Sequence, residues 1–566
     1  MTRRHRLGLA FVLVTLALLG FIVATGSHGS AAAATAKRPN ILILETDDQT
    51  LAEMEVLPNV RRLIGGQGVT FDNNFDSYSL CCPSRATLLT GQYSHNNGVR
   101  SNKPPYGGYY KLDSTNTLAV WLQSAGYYTA HVGKYLNEYG TRNKTEIPPG
   151  WTEWHGLVDP STYRYYGYTM NENGVLHTYC ARPEPSCYQT DVLREKADTV
   201  IRERAATPDV PWFMWVAFLA NHNGAPKEPG DPTVVPTPVP APRHKGAFAN
   251  TPMPRPPGFD EPDVSDKPGE IRRRKRFSPR DIREIQENWR QRRETLLSVD
   301  DAVASIVETL RATGQLDNTL IMFTSDNGFF HGEHRVRWGK VLLYEPSIRV
   351  PLLMRWTGNS SLPRNVHRKQ MTMNVDYAET VLAAAGETAR PGRMQDGINV
   401  LPLWRDAGKE PGRDLLVDNQ PGAGHFDAIR TRNYIYAEYL NGDRELYDLR
   451  KDPYELQSEH ANPAYAGLRA SLAARLHRLV SCSGASCRAR PSVRLVLRRR
   501  ACLVTATVHG SGVKSVVFSR NTHGVKRDVR SPFDATVRIR GTALVRARVA
   551  LTWDRLLTLD ARARGC

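Results

Sequence analysis

The stretch Pro39-Asn40-Ile41-Leu42-Ile43-Leu44-Glu45-Thr46-Asp47-Asp48 is a short apolar run that stops at polar and acidic residues. A strand covered on both faces of a parallel sheet reads this way, as a continuous hydrophobic run without alternation. Three later segments repeat the pattern. Residues 127–132 run into Gly133-Lys134, residues 212–219 into Asn221-His222, and residues 319–324 into Ser325-Asp326-Asn327-Gly328. In open α/β sheets the ligand site lies beyond the carboxyl ends of the strands. Four candidate strands thus each deliver ionisable or metal-binding groups to one edge. Helical patterns at 117–125 and 300–313 lie between them, and an α/β sandwich with a mostly parallel sheet follows.

The chain has 566 residues, too many for one typical domain, so two or three are expected. A hydrophobic content of 40% and a charged content of 23% exclude a disordered chain. Residues 225–268 turn Pro-rich, with Pro226, Pro229, Pro232, Pro236, Pro238, Pro240 and Pro242. This reads as a long loop or insertion that covers a site, because the strand pattern resumes at Thr319. A basic helix at 271–297 follows, its charges read as a solvated face. Beyond Pro351-Leu352-Leu353-Met354, residues 436–452 read as a hairpin turning at Asn441-Gly442-Asp443-Arg444. A helix over about 463–480 closes this domain, and alternation at 502–508 and 513–518 predicts a small β-sandwich appendix. No internal repeat is present. The expected organisation is residues 1–36 as a leader, 37–480 as the main domain with a small subdomain at about 405–480, and 481–566 as a basic appendix.

The leader reads as an export signal. Arg3, Arg4, His5 and Arg6 precede an apolar run over 7–24, and Ala34-Thr35-Ala36 offers a small-residue cleavage site. Its length leaves an uncleaved N-terminal anchor as the alternative to secretion. Eight cysteines are present. With Cys81 and Cys82 set aside, Cys180 with Cys187, Cys482 with Cys487 and Cys502 with Cys566 are plausible local pairs in an oxidising compartment, although the spacing alone leaves connectivity open.

One further stretch carries the chemistry: Cys81-Cys82-Pro83-Ser84-Arg85-Ala86-Thr87-Leu88-Leu89-Thr90-Gly91. Taken alone, it is two adjacent cysteines before a short helix closed by glycine. It also resembles the signature of the formylglycine-dependent (type I) sulfatases. That resemblance implies an alkaline-phosphatase-like α/β sandwich, with a large mostly parallel sheet, a small C-terminal antiparallel subdomain and here an appended β domain. It implies that Cys81, not Cys82, is oxidised to Cα-formylglycine (3-oxoalanine) by a maturation enzyme and serves as the nucleophile. Asp47, Asp48, Asp326 and Asn327 form an all-oxygen set drawn from two strand ends, which favours Ca²⁺ or Mg²⁺ over zinc. In the family, the matching residues bind Ca²⁺ together with the formylglycine oxygen at position 81.

The helix after Pro83 directs its unpaired N–H groups and positive dipole end at an anion. By the resemblance, Arg85 holds the formylglycine hydrate and Lys134 and Lys340 bind the sulfate oxygens. His222 protonates the leaving oxygen, working with Lys340. Lys340 sits in Arg337-Trp338-Gly339-Lys340-Val341-Leu342-Leu343-Tyr344-Glu345, similar to the family's second lysine motif. The implied mechanism is a double displacement, in which one hydroxyl of the hydrated aldehyde attacks sulfur and the second later expels sulfate. One departure stands out. Many sulfatases carry Gly-Lys-x-His, whereas Leu136 follows Gly133-Lys134-Tyr135 here. His95, His331 and His334 are the candidates for the missing base.

The motifs Gly133-Lys134-Tyr135-Leu136-Asn137-Glu138-Tyr139-Gly140, Thr295-Leu296-Leu297-Ser298-Val299-Asp300-Asp301 and Glu445-Leu446-Tyr447-Asp448-Leu449 resemble the N-acetylglucosamine-6-sulfatase branch. The resemblance covers about residues 37–480 and implies hydrolysis of a sulfated sugar. The alternatives are an arylsulfatase, a phosphodiester or phosphonate monoester hydrolase, or a non-catalytic polyanion binder with Cys81 unconverted. From residue 481 to the end, 18 Lys and Arg face 4 Asp and no Glu, which accounts for most of the net charge of +18. Such a tail suits an acidic polymer, a sulfated glycan or an anionic cell surface, with a merely solubilising domain as the alternative. No specific nucleic acid is expected.

Overall fold

The computed structural model describes residues 37–180, 183–488, 494–509, 513–551 and 556–566. The expected leader at 1–36 lies outside the described residues. Among the described residues no helix is long and apolar enough to cross a membrane.

The frame is a ten-stranded sheet built from β1 (Asn40–Thr46), β2 (Val69–Phe75), β3 (Tyr128–Gly133), β4 (Glu153–Leu157), β5 (Tyr168–Glu172), β6 (Val175–Tyr179), β7 (Trp212–Ala217), β8 (Thr319–Ser325), β9 (Leu352–Arg355) and β10 (Val366–Met373). Their spatial order is β10-β2-β9-β8-β1-β7-β3-β4-β5-β6. The centre, β8-β1-β7-β3-β4, is parallel, while β9, β5 and β6 run antiparallel to their neighbours. The four apolar runs picked out above are the four innermost strands of this sheet.

Successive residues of a strand point to opposite faces, so a run apolar at every position needs cover on both. One face sets Leu42, Leu44, Met214, Val216, Ile321 and Phe323 against Leu193 and Ile201 of α2 (Gln189–Arg204) and Val299 and Val303 of α3 (Pro279–Ala312). The other sets Ile41, Ile43, Phe213, Trp215, Leu320 and Met322 against Leu88 and Leu89 of α1 (Cys81–Thr90) and Val381 and Leu382 of a helix over Tyr377–Ala385. Burying each such side chain stabilises by roughly 1.5–3 kcal/mol.

Helix α3 corrects the sequence expectation. Instead of a solvated basic helix at 271–297 and a separate one at 300–313, one 34-residue helix begins at Pro279 behind a Ser278/Asp281 capping box. Its middle is buried, including Arg292 at 0% and Arg293 at 3% exposure. The charges there are internal partners, not a wet face. The Pro-rich segment contains no helix or strand between Ala217 and Gly269, and its Val235 and Met253 pack on Ile285 and Trp289 of α3.

A four-stranded antiparallel sheet follows, formed by β11 (Leu415–Asp418), β12 (Phe426–Arg430), β13 (Tyr434–Tyr439) and β14 (Arg444–Asp448). The expected hairpin is β13–β14, and a helix over Ala466–Leu479 packs Leu472 and Leu476 into the same core. The C-terminal part holds two antiparallel sheets. One contains β15 (Arg494–Arg500), β16 (Leu503–His509) and β19 (Phe533–Arg538); the other contains β17 (Val513–Arg520), β18 (His523–Asp528), β20 (Thr542–Leu551) and β21 (Leu556–Arg564). Cys180–Cys187, Cys482–Cys487 and Cys502–Cys566 are disulfides, and Cys81 and Cys82 are free and buried.

Candidate active site

Register brings the site together. Glu45 pairs with Ala217 on one side and Thr324 on the other, and Gly133 pairs with Ala217. The residues that follow these positions therefore leave the sheet at one edge: Asp47 and Asp48, Lys134, His222, Asp326 and Asn327. A Cβ on Gly133, at φ +110°, would collide with the Ala217 carbonyl, so only glycine lets β3 end this way before Lys134. Asp48 has φ +71° and Val341, next to Lys340, has φ +75°. Non-glycine residues in this region are strained and concentrate where the surrounding fold fixes a functional group.

Helix α1 starts at Cys81, is buried along its whole length and ends at Gly91 in the left-handed region. Cys81 Sγ accepts a hydrogen bond from Lys340 Nζ at 2.8 Å and lies 3.6 Å from Asp47 Oδ1. Lys340 also pairs with Asp48, and Lys134 with Asp47. One turn along the helix, Arg85 donates from Nε to Asp326 Oδ2 at 2.8 Å, from Nη2 to Asp47 Oδ2 at 3.1 Å and from Nη1 to the Lys134 carbonyl at 2.8 Å. His222 Nε2 lies 3.7 Å from Asp48 Oδ2. Its Nδ1 is 2.6 Å from the Asn223 carbonyl, which only accepts and so fixes that nitrogen as the donor. The nine residues read as nucleophile, metal ligands, sulfate contacts and acid thus lie together at this edge of the sheet.

The electrostatics are those of an anion site over a carboxylate cluster. Burial pushes Asp47 and Asp48 up, but Lys134, His222 and Arg85 around Asp47, and Lys340 and His222 around Asp48, outweigh it and hold both carboxyls below the usual range. Burial works against charge on Lys134 and Lys340 too, yet Asp47 and Asp48 win and keep both ammonium groups protonated. Burial, followed by Asp47, pushes the Cys81 thiol up to about 12. An unmodified Cys81 is therefore a neutral thiol and a poor nucleophile. Burial lowers His222 despite Asp48 and Asp47.

The donor set suits a hard divalent cation. Asn327 Nδ2 donates to Asp48 Oδ1 at 2.7 Å, which leaves Asn327 Oδ1 buried without a hydrogen-bond partner. Asp47, Asp48, Cys81 and His222 each offer a ligand atom within 4.8 Å of the others. Asp326 has both oxygens engaged, one by Arg85 and one by the Asp48 N–H at 3.1 Å. Each oxygen keeps a lone pair for a metal.

Several groups carried no signal in the sequence. Arg292 donates from Nη2 to the Asp48 carbonyl at 2.5 Å and from Nη1 to the Asn221 carbonyl at 3.1 Å, with its Nε 3.3 Å from Glu53. The Tyr163 ring lies 4.9 Å from Lys134 Nζ and 5.1 Å from the His222 ring. Glu45 sits behind Arg85 at 3.4 Å, and burial pushes it up to about 8. Of the three histidines considered for the missing base, His95 bonds the Cys482 carbonyl and His334 bonds Glu261. His331 lies 3.5 Å from Glu53 on a cavity of about 420 Å³ whose lining includes neither Cys81 nor the two lysines. None of the three hydrogen-bonds the Cys81 cluster.

Fold and site suit an enzyme that handles an anionic ester, and the comparison with known proteins gives its family. The chain belongs to the sulfatase family: the sulfatase model matches residues 39–387, and that of the N-sulphoglucosamine sulphohydrolase C-terminal region matches residues 332–481. It is thus an enzyme. It is 32% identical over 536 residues to an arylsulfatase of Volvox carteri, covering 84% of this chain and 79% of that one. It is 33% identical over 503 residues to the N-acetylglucosamine-6-sulfatase of Homo sapiens, covering 81% and 87%. The structure of BT4656 in complex with its substrate D-glucosamine-2-N,6-O-disulfate superposes with a TM-score of 0.64 at 25% identity, over 78% of this chain and 97% of that one.

Proposed function

We propose that this sulfatase releases inorganic sulfate from a sulfated amino sugar, with N-acetylglucosamine 6-sulfate as the leading substrate and residue 81 acting as formylglycine. The observation that carries the reading is the position of Cys81: first residue of α1, 2.8 Å from Lys340 Nζ and beside Asp47. Its un-ionised thiol at that point is a weak nucleophile but a well-placed precursor. Formylglycine at this position would supply a hydrated aldehyde as the oxygen nucleophile. Asp47, Asp48, Asp326 and Asn327 would hold Ca²⁺, with Mg²⁺ as the alternative, which offsets the charge of the ester and of the nucleophile.

The remaining work falls to the chain's own side chains. Lys134 and Lys340, both protonated, bind the ester's anionic oxygens and exchange part of their attraction to Asp47 and Asp48 for the substrate. Arg85 spans Asp47 and Asp326 and keeps the two strand ends in register while charge moves. His222 donates from Nδ1 to the Asn223 carbonyl, which leaves Nε2 facing the site. A bound anionic ester favours the imidazolium, and Nε2–H then protonates the leaving sugar oxygen. The relatives' names support an amino-sugar substrate. The arylsulfatase relative supports a second reading, a small aryl sulfate. The basic export-like leader supports a secreted or extracytoplasmic protein matured by a formylglycine-generating enzyme. Residues 37–480 would form the catalytic domain and 481–566 its appendix.

The test is turnover of matched esters. Sulfate release from N-acetylglucosamine 6-sulfate at a kcat/KM well above that for an aryl sulfate supports the reading. Faster hydrolysis of the corresponding phosphate or phosphonate monoester would replace it with the phosphonate hydrolase alternative.

A further inference from the structure

We propose that the C-terminal β-sandwich carries its own binding site for a sulfated polysaccharide, in the groove formed by Arg520, His523, Arg538 and Arg540. The choice of a sulfated polymer rests on the function proposed above; the groove itself does not. At one end of the sandwich, the β17–β18 turn and the β19–β20 connection enclose a cavity of about 460 Å³ lined by these residues together with Asn521 and Thr542. Arg520 Nη1 donates to the Arg538 carbonyl at 2.9 Å and so ties the two sheets together at this end.

The arginines of the groove have no acidic partner among the described residues. Asp528 and Asp534 are taken by Lys526, and Asp560 by Arg546. The basic surface also continues out of the groove. Register sets Arg500, Leu503 and Arg538 side by side across three strands, and Arg498, Thr505 and Thr536 in the next row on the same face. Val504, Ala506 and Val508 point the other way into the core, so this face is the outward one. The exposed Arg498, Arg500 and Arg538 of this face, next to an arginine-lined groove, fit a polymer carrying several anionic groups, and the guanidinium fork matches the oxygens of a sulfate ester.

The aromatic side chains argue against nucleic acid. Single strands are held by stacking bases on exposed rings as well as by charge. Phe518 and Phe533, the Phe, Tyr and Trp residues described in the sandwich, are buried. Among the described residues the groove therefore offers charge and hydrogen bonds, with no Phe, Tyr or Trp in its lining.

The experiment uses the full chain and heparin as the probe, with dissociation constants measured over a range of NaCl concentrations. Arg520→Gln/Arg538→Gln/Arg540→Gln should weaken binding at least about tenfold and flatten the slope of log Kd against log salt by about two to three, one for each lost ionic contact. The Arg→Lys triple should bind more tightly than the Arg→Gln triple, which separates lost charge from a damaged fold. Arg61→Gln/Arg62→Gln/Arg202→Gln, exposed cations elsewhere, should leave binding unchanged. Unchanged heparin affinity in the groove variant overturns the proposal. Tighter binding to single-stranded DNA or to phosphatidylcholine–phosphatidylserine vesicles, lost in that same variant, overturns the choice of partner. Turnover of a small aryl sulfate, read in parallel, should be equal in all variants. A protein that binds heparin as described but turns over no sulfate ester would sink the catalytic reading alone.

Discussion

Lys340 Nζ stands 2.8 Å from Cys81 Sγ and is paired with Asp48 at the same time. One ammonium therefore bridges the residue at the start of α1 and a carboxylate at the end of β1. Lys134, just past the end of β3, pairs with Asp47 beside it. The substrate sulfate would enter between two cations already held in place by carboxylates.

Replacing Lys340 with Ala should lower kcat by about 10²–10³, the range seen when one preorganised electrostatic contact to the reacting group is removed. Because Lys340 is paired with the buried Asp48, far-ultraviolet circular dichroism on the variant should accompany the assay and show the parent's spectrum. A kcat within a few-fold of the parent would remove Lys340 from the reaction.

The carboxylate cluster should answer to metal. Added Ca²⁺ at about 100 times its dissociation constant should stabilise the protein by about 2.7 kcal/mol, and chelation should reverse both this and activity. Asn327→Ala deletes a buried side-chain acceptor that lacks a hydrogen bond, so it should weaken calcium binding measured by calorimetry. Equal calcium affinity in the variant would rule Asn327 out as a ligand.

Arg292 and Glu53 form a buried pair, 0% and 2% exposed at the side chain, 3.3 Å apart. Arg292→Met leaves Glu53 without its main cation and frees the Asp48 and Asn221 carbonyls. Breaking such a pair costs about 3–5 kcal/mol. Chemical denaturation should show that loss, with Glu53→Gln on top of Arg292→Met recovering part of it. A loss below about 1 kcal/mol would mean that Arg292 does not hold the Asp48 loop.

Much of this was legible in the sequence. Parallel strands buried on both faces are unbroken apolar runs, so β1, β3, β7 and β8 announce themselves, and the residues just past each run are the site. Arg292 and Tyr163 were not legible, because each reaches the site through side-chain direction across a long sequence gap, which no local pattern records. The charged stretch before Thr295 looked solvated since periodicity cannot tell a wet cation from one aimed at a backbone carbonyl. The Leu136 departure has a packing cause. At 2% exposure it lies in the core with Tyr135, Tyr139 and Trp154.

Asp418 gives the protein a pH dependence of its own. It is buried on β11 with Ser94 Oγ donating to it at 2.9 Å, and burial pushes its carboxyl up to about 7. In the unfolded chain the same carboxyl ionises near 4. Between these values the folded state holds the extra proton, so raising the pH through this window costs stability, about 4 kcal/mol in all. Asp418→Asn keeps the acceptor for Ser94 and removes the titration. The stability of this variant relative to the parent should therefore rise from pH 4 to pH 8 in urea unfolding. A constant difference across that range would show that Asp418 ionises normally.

The most direct test of the account is the mass of the peptide containing Cys81, from protein exported by its own host. Conversion to formylglycine exchanges a thiol for an aldehyde oxygen and makes the peptide lighter by about 18 Da, and that is the result expected if residue 81 is the nucleophile. An unmodified Cys81 in protein that nonetheless hydrolyses sulfate esters would contradict it.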